Sequence, residues 1–460
     1  MSTVSIVHCI DTEGPLNEPT EATFERIKFI LNIKSLDINP TRFNLEKILN
    51  GEIELKNDKG VSALDIISPH LLKLNNSWDK IYEMFETIED SKIRFKILDN
   101  NNSPWKFTFH ILDHVEYQNN PRRRTIGYNA IFEEYLKIHN KNLGDELEFH
   151  FHPMNYTKDA HRCATAYDYG GTFNEVLSRR LINHSFFPSS FRAGFQTIRN
   201  DSNLLLEQWI PFDISNMAED DYAYLDNQND FANGRSGDWR NAPSDWSVYS
   251  PSLKDWRKKG NLNRNIARAL NPLNRIGRLT YKEIEKAFIT AQKGVPVILG
   301  IASHDFRDLN YEINFCQKNI NIASRKYPEV PFYFESTRDA FRRALKLNPT
   351  FEKPILTLRW KVNDVPELKI NAENIDLFMM QPYIAIQTKA NNYFRDNANL
   401  GINNTFYYAF NFDTIDIENV EKIGIALTTK SGIVWTKVID RKTLNEIKLG
   451  ASIDIDMNFR

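Results

Sequence analysis

Seven short apolar runs set the frame of the first part of the chain, at residues 4–10, 106–112, 147–152, 190–192, 209–214, 296–302 and 330–335. Segments long enough to hold helices separate them, so the pattern alternates between strand and helix. That rhythm belongs to an α/β barrel or wound sheet, and in both folds ligand sites form at the carboxyl ends of the strands. The residues that decide function are therefore the polar ones that follow each run. Several of these runs stop abruptly on His, Asp or Glu.

Three run ends carry residue types suited to chemistry. In Ile6-Val7-His8-Cys9-Ile10-Asp11-Thr12-Glu13-Gly14-Pro15 a strand ends in two carboxylates separated by one residue, ahead of a Gly-Pro turn. In an extended chain Asp11 and Glu13 share a face, as a metal ligand and a general base would need to. The plainer alternative is that both simply cap the turn. In Glu146-Leu147-Glu148-Phe149-His150-Phe151-His152-Pro153 two histidines alternate along a strand. Period two points both imidazoles to one side, and with carboxylates nearby they make an N/O set suited to a divalent metal such as zinc. The run at residues 296–302 leads into His304, with Asp305 and Arg307 beside it. A strand-end histidine is placed for acid/base work because its ordinary pKa of about 6.5 lies near neutrality.

Two further pieces share this arrangement, Phe191-Arg192-Ala193-Gly194-Phe195 and Trp209-Ile210-Pro211-Phe212-Asp213-Ile214-Ser215-Asn216. Arg192 could orient a carboxylate through a two-pronged hydrogen bond, and Asp213 could accept from a catalytic histidine or from Arg192. An internal ion pair tying two strands together is the structural alternative. His161 and Asp159 offer a further metal ligand, although His161 falls in a loop.

The remaining chain is less specific. Long excursions at about residues 16–100 and 216–280 interrupt the pattern, the first with helical spacing at residues 22–33, 43–49 and 77–89. The second has little periodicity until residues 262–270 and reads as a binding or lid loop. After residue 345 strands follow one another without helices, at 356–362, 378–387, 405–412, 422–429 and 433–439, which is the texture of a β-sandwich. Lys430-Ser431-Gly432 reads as a hairpin turn. Two domains are expected, 1–345 and 354–460. In the second, Trp360, Tyr383, Tyr393, Tyr407, Tyr408 and Trp435 could stack on sugars, though such aromatics more often form core.

The 58 basic and 60 acidic side chains nearly cancel, so no overall basic field points to nucleic acid. The clusters Arg122-Arg123-Arg124 and Arg257-Lys258-Lys259 read as solvated surface. Three cysteines without a Cys-x-x-Cys pair point to a reducing compartment, the cytoplasm. Neither a signal peptide nor a membrane span is expected. The oligomeric state is left open, a homo-oligomer included.

In their order along the chain, Asp11 with Glu13, His150 with His152, Arg192, Asp213 and His304 resemble the motifs of a polysaccharide deacetylase over roughly residues 1–345. The match is imperfect: Thr12 separates the acidic pair, and Met154 stands where a second histidine four residues on would fall. The resemblance implies a distorted (β/α) barrel with fewer than eight strands, here followed by the β-sandwich. It also implies removal of an acyl group from an N-acetylated sugar or glycan precursor. On that reading Glu13, His150 and His152 hold the metal, Asp11 is the base, and His304 protonates the leaving amine. Arg192 and Asp213 tune these groups, while His114, Tyr117 and Arg122 line the substrate site. A metal-independent amidohydrolase and a non-catalytic carbohydrate-binding protein on the same scaffold are the competing readings.

Overall fold

Strand β1 (Val4–Thr12) is buried along its whole length, and the first part of the chain closes around it. The structure, a computed structural model, describes residues 2–57, 60, 62–66, 69–160, 162–220, 237–274, 277–349, 352–360, 365–446 and 452–459. Seven further strands follow: β2 (Phe107–Ile111), β3 (Glu146–Phe151), β4 (Ser190–Ala193), β5 (Phe212–Asn216), β6 (Asn265–Leu270), β7 (Val297–His304) and β8 (Phe332–Phe334). Strands β1 to β7 pair in parallel in chain order, and β7 and β2 both pair with β1, so seven strands close a barrel. Strand β8 pairs with Val4–Ile6 while β2 pairs with His8 to Thr12, so one edge of β1 is shared between them.

The helices occupy the connections. Between β1 and β2 lie α1 (Thr20–Leu31), α2 (Arg42–Leu49), α3 (Ala63–Ile66) and α4 (Trp78–Asp90). Later come α5 (Ala130–Ile138), α6 (Thr172–His184), α7 (Asn200–Leu206), α8 (Tyr281–Gln292) and α9 (Leu309–Lys326), and α10 (Thr337–Leu345) follows β8. Helix α4 begins where the Ser77 side chain accepts from the Lys80 N–H, and it buries Ile81, Met84, Phe85 and Ile88 on one face. Those side chains pack with Phe107, Phe109 and Ile111 of β2, so the aromatics of this helix are core.

Strand period two divides the barrel's residues between two faces. Phe149, Phe151, Phe191 and Ala193 pack outward among helix residues such as Phe173 and Leu177. The alternate positions of the same strands are polar: Glu148, His150, Ser190 and Arg192, all buried. At the amino end α10 fills the interior, where Ala340 and Phe341 pack with Val7, Cys9, Ile214 and Ala269, and Phe341 stacks on Phe212 at 4.6 Å. The apolar plug leaves the carboxyl end for the polar residues.

Two five-stranded antiparallel sheets follow, formed by β9 (Ile355–Trp360), β10 (Pro366–Asn371), β11 (Tyr383–Thr388), β12 (Tyr393–Asp396), β13 (Asn399–Leu400), β14 (Thr405–Ala409), β15 (Val420–Thr428), β16 (Val434–Asp440), β17 (Ser452–Ile455) and β18 (Asn458–Phe459). Their orders are β13-β14-β10-β9-β17 and β12-β11-β15-β16-β18. Leu358 and Ile370 of one sheet share a core with Ile384 and Ile425 of the other, as in a β-sandwich. The hairpin turn falls at Gly432, whose φ of +75° favours glycine. Tyr383, Tyr408 and Trp435 are buried and belong to this core, so they are not available to stack on sugars.

Two differences from the sequence reading stand out. Residues 265–270, expected as the tail of a loop, form barrel strand β6. Arg264 and Arg268 break its apolar pattern, yet both are fully buried, paired with Asp213 and Glu283. Strands β10, β12, β13, β17 and β18 were not anticipated; the last four are only two to four residues long, too short to show a period.

The sandwich is fastened to the barrel through α6. Tyr383 donates to the Asn174 carbonyl at 2.9 Å, meets Ser178 Oγ at 3.1 Å, and packs its ring against Phe187 and Trp209. Tyr383→Ala is expected to lower stability by about 3–5 kcal/mol in chemical denaturation, the cost of emptying a large aromatic site. Tyr383→Phe, which keeps the packing, should cost about 1 kcal/mol.

Candidate functional site

The carboxyl ends of β1, β3, β4 and β7 bring six of the anticipated side chains together. Register places His304 of β7 and His110 of β2 on either side of Asp11, and Arg192 of β4 opposite His150 of β3. Arg192 reaches across the barrel, donating from Nε and Nη2 to the two oxygens of Asp11 at 2.6 and 3.0 Å, and from Nη1 to the Ile214 carbonyl at 2.6 Å. Asp11 and Arg192 are each 1% exposed. Burial opposes ionisation of Asp11, but the Arg192 guanidinium outweighs it and holds the carboxyl well below the usual carboxylate range.

Glu13, two residues on, is held by separate groups. Arg124 Nη2 donates to Glu13 Oε2 at 2.6 Å, and this charge outweighs burial to hold Glu13 well below the usual carboxylate range. The other oxygen, Oε1, faces His152 Nε2 at 3.7 Å and His304 Nε2 at 3.9 Å. The backbone beneath is clamped: Asp305 accepts from the Glu13 N–H at 3.1 Å, from the Gly14 N–H at 2.8 Å and from the Tyr135 hydroxyl at 3.0 Å. Burial pushes the Asp305 carboxyl up to about 7.

The two histidines of β3 converge. His150 Nδ1 lies 2.9 Å from the Arg192 carbonyl, which can only accept, so Nδ1 donates and Nε2 is the ring atom turned toward the centre. That Nε2 lies 3.0 Å from His152 Nε2, and burial lowers the His152 pKa to about 3, so its imidazole is neutral. One ligand atom from each of Glu13, His150 and His152 lies within 4.8 Å of the others. Two imidazoles and one carboxylate match the His2Glu type of zinc site, and His150 has the carbonyl partner that fixes such ligands. The residues fit a divalent metal. His152 also depends on Gly194, where any Cβ would be driven into its ring.

His304 completes the cluster, with Nε2 3.9 Å from Asp11 Oδ2. Burial and the nearby Arg307 charge lower its pKa to about 4. Beneath it a polar chain runs through buried side chains: Trp105 donates to His8 Nδ1 at 3.0 Å, His8 Nε2 donates to Ser303 Oγ at 2.9 Å, and Ser303 donates to Glu312 at 2.5 Å. Burial pushes the Glu312 carboxyl up to about 7.

Other anticipated residues lie elsewhere. Asp213 does not reach the centre: Phe212 and Ile214 take the inward positions of β5, and Asp213 faces away, accepting from Arg264 at 2.9 Å and from the Ser215 N–H at 2.8 Å. It is the internal ion pair, not a partner of His304 or Arg192. His114 is buried beside the centre and donates from Nε2 to the Glu13 carbonyl at 3.1 Å, with its ring 6.4 Å from that of His152 and 5.9 Å from Tyr117. Arg122 meets Glu18 at 3.4 Å. Asp159 bonds to Thr157 and Arg162, outside the candidate metal set, and His161 lies outside the described residues.

Sequence reasoning missed Arg124 and the clamp made by Asp305 and Tyr135. Arg124 sat in a run read as solvated surface, yet it is buried against Glu13. No family model matches this chain, and no curated protein does. Among solved structures it is similar to one from Mycobacterium smegmatis described as a "putative polysaccharide deacetylase", with 12% identity and a TM-score of 0.34, over 76% of this chain and 94% of that one. At that level of overlap the likeness lends no weight to fold or function, and the centre must be read from its own geometry.

Two outcomes are expected. Gly194→Ala should weaken divalent-metal binding by about 10–100-fold in chelator competition, because it displaces a ligand ring without touching a ligand atom. Glu312, whose ordinary pKa is 4.5, binds its proton more tightly in the folded chain, so it contributes stability that is lost as pH rises from about 4.5 through about 7. Glu312→Gln should remove that loss: denaturation at several pH values should show the variant gaining on the parent chain across this window and holding level above it.

Proposed function

We propose that this chain is a metal-dependent hydrolase that removes an acyl group, acetyl foremost, from an N-acetylated sugar or glycan precursor. The observation that carries the reading is the meeting of two sets. Glu13, His150 and His152 offer ligand atoms within 4.8 Å of one another, and the carboxylate Asp11 and imidazole His304 stand 3.9 Å apart beside them. The order of these residues along the chain, with its resemblance to polysaccharide deacetylases, supports the sugar amide as substrate.

A divalent cation held by Glu13, His150 and His152, zinc first among the candidates, would polarise the acyl carbonyl and lower the pKa of water toward about 7. Asp11 takes the proton of the attacking water. Arg192 keeps that carboxylate ionised and fixes both its oxygens, so Asp11 is a weak base that readily passes the proton on. His304 enters neutral, and so the proton it gives to the leaving nitrogen is one it first receives, with Asp11 the group in reach. Arg124 occupies the second oxygen of Glu13 and leaves the first directed at the histidines.

Elemental analysis tests the reading most directly. Wild-type chain should carry close to one divalent metal, His150→Ala and His152→Ala should lose it, and Asp11→Asn should keep it. Acetate release from N-acetyl sugars should fall about 10²–10⁴-fold in Asp11→Asn and in His304→Gln, the range for loss of an acid or base. A wild-type chain that takes up no metal after reconstitution overturns metal dependence and favours an amidohydrolase that works without it.

A further inference from the structure

The segment that leaves β1, residues 13–18, is surrounded by four arginines. Arg124 is paired with Glu13. Arg26 and Arg122 share a single buried carboxylate, Glu18, at 3.3 and 3.4 Å. Arg307 has no carboxylate within ion-pair distance among the described residues. Its side chain makes one hydrogen bond, Nη1 to Asn274 Oδ1 at 3.5 Å, and its Nε is buried without an acceptor.

The neighbouring acids make no ion pair with Arg307 among the described residues. Glu312 acts on Arg307 electrostatically but accepts its hydrogen bond from Ser303, and Asp308 caps α9 through the Asn310 N–H. Arg307 is also held in place. Its N–H donates to the His304 carbonyl at 3.1 Å, and the Arg307 carbonyl accepts from Asn75 Nδ2 at 3.1 Å. Phe306 lies at the junction: its ring is 4.8 Å from the His304 ring, 4.9 Å from the Arg124 guanidinium carbon and 5.5 Å from that of Arg307. The unpaired cation therefore stands one aromatic ring away from the acid-base centre.

A guanidinium with no carboxylate at ion-pair distance among the described residues presents a fixed fork of N–H donors, which fits a phosphate or carboxylate. We propose that Arg307, with Arg26 and Arg122 beyond it, forms an oxyanion subsite, and that the substrate of this centre is an anionic sugar bearing a phosphate or carboxylate. The proposal rests on the hydrolase reading only in making the anion part of the substrate. Arg26 and Arg122 add charge at longer range, since each already shares Glu18.

Calorimetric titration of the full chain with inorganic phosphate and with glucuronate tests the subsite without any turnover. Wild type should bind at least one of the two anions, and Arg307→Gln should bind it about 10-fold or more weakly, the scale of a lost charge-assisted pair. Arg307→Lys should recover part of the affinity. The anion that shows this dependence identifies the group. Equal binding by wild type and Arg307→Gln, or no binding of either anion by wild type, overturns the subsite. Acetate release from N-acetylglucosamine 1-phosphate and from N-acetylglucosamine, run on the same samples, separates the two ideas. Arg307-dependent anion binding without release from any N-acetyl sugar leaves the subsite standing and counts against the hydrolase. Release from the neutral sugar with no Arg307-dependent anion binding does the reverse.

Discussion

The buried pair of Asp11 and Arg192 is the interaction on which the rest of the centre depends. It joins opposite walls of the barrel, β1 and β4, and a third bond from the same guanidinium reaches β5 at the Ile214 carbonyl. The Arg192 carbonyl in turn fixes the His150 ring and turns its Nε2 toward His152. One arginine thus sets the ionisation of the proposed base and the orientation of a proposed ligand. Removing either member of such a pair strands a charge, at a cost of about 3–5 kcal/mol, although an apolar pair of the same shape could be as stable. The pair therefore reads as a device for specificity, and its value lies in the two groups it positions.

How much of this was legible in sequence follows from strand parity. Asp11, His150, His152 and Arg192 each follow or lie within a short apolar run, and period two put Asp11 with Glu13 on one face and His150 with His152 on one side of their strand. The same rule, applied to β5, would have excluded Asp213. Phe212 and Ile214 flank it, and they pack with Val7 and Cys9 inside the barrel, so the residue between them must face out. Its partner Arg264 shows the second blind spot. A buried arginine looks like surface in a hydropathy pattern, and the two in and just before β6 hid a barrel strand.

Arg124 was hidden for a different reason. In a run of three arginines nothing local distinguishes the one that turns inward. What selects it is the acid it meets, Glu13, 111 residues earlier in the chain. Long-range pairing of this kind has no period and no motif, and it becomes visible only once the loop after β2 folds over the end of β1. The clamp from Asp305 to the Glu13 and Gly14 N–H groups is equally non-local, spanning 292 and 291 residues. Gly14 itself was readable, since a Gly-Pro pair after a strand signals a turn, and its φ of +69° is the left-handed conformation that glycine favours.

The pattern of satisfied and unsatisfied groups gives the centre its direction. Asp11 and Glu13 each have a guanidinium partner, and the Glu13 and Gly14 backbone donors meet Asp305. What remains are the His150 and His152 Nε2 atoms, hydrogen-bonded to each other at 3.0 Å with one Glu13 oxygen opposite, and the Arg307 guanidinium on the far side of Phe306. In the first set a cation can take the place of the proton that bridges the two imidazoles; the second presents N–H donors and calls for an anion. Buried polar groups are rarely left unpaired without a reason. Two such sets of opposite demand, one on either side of His304, define the polarity that a ligand must have to fill both.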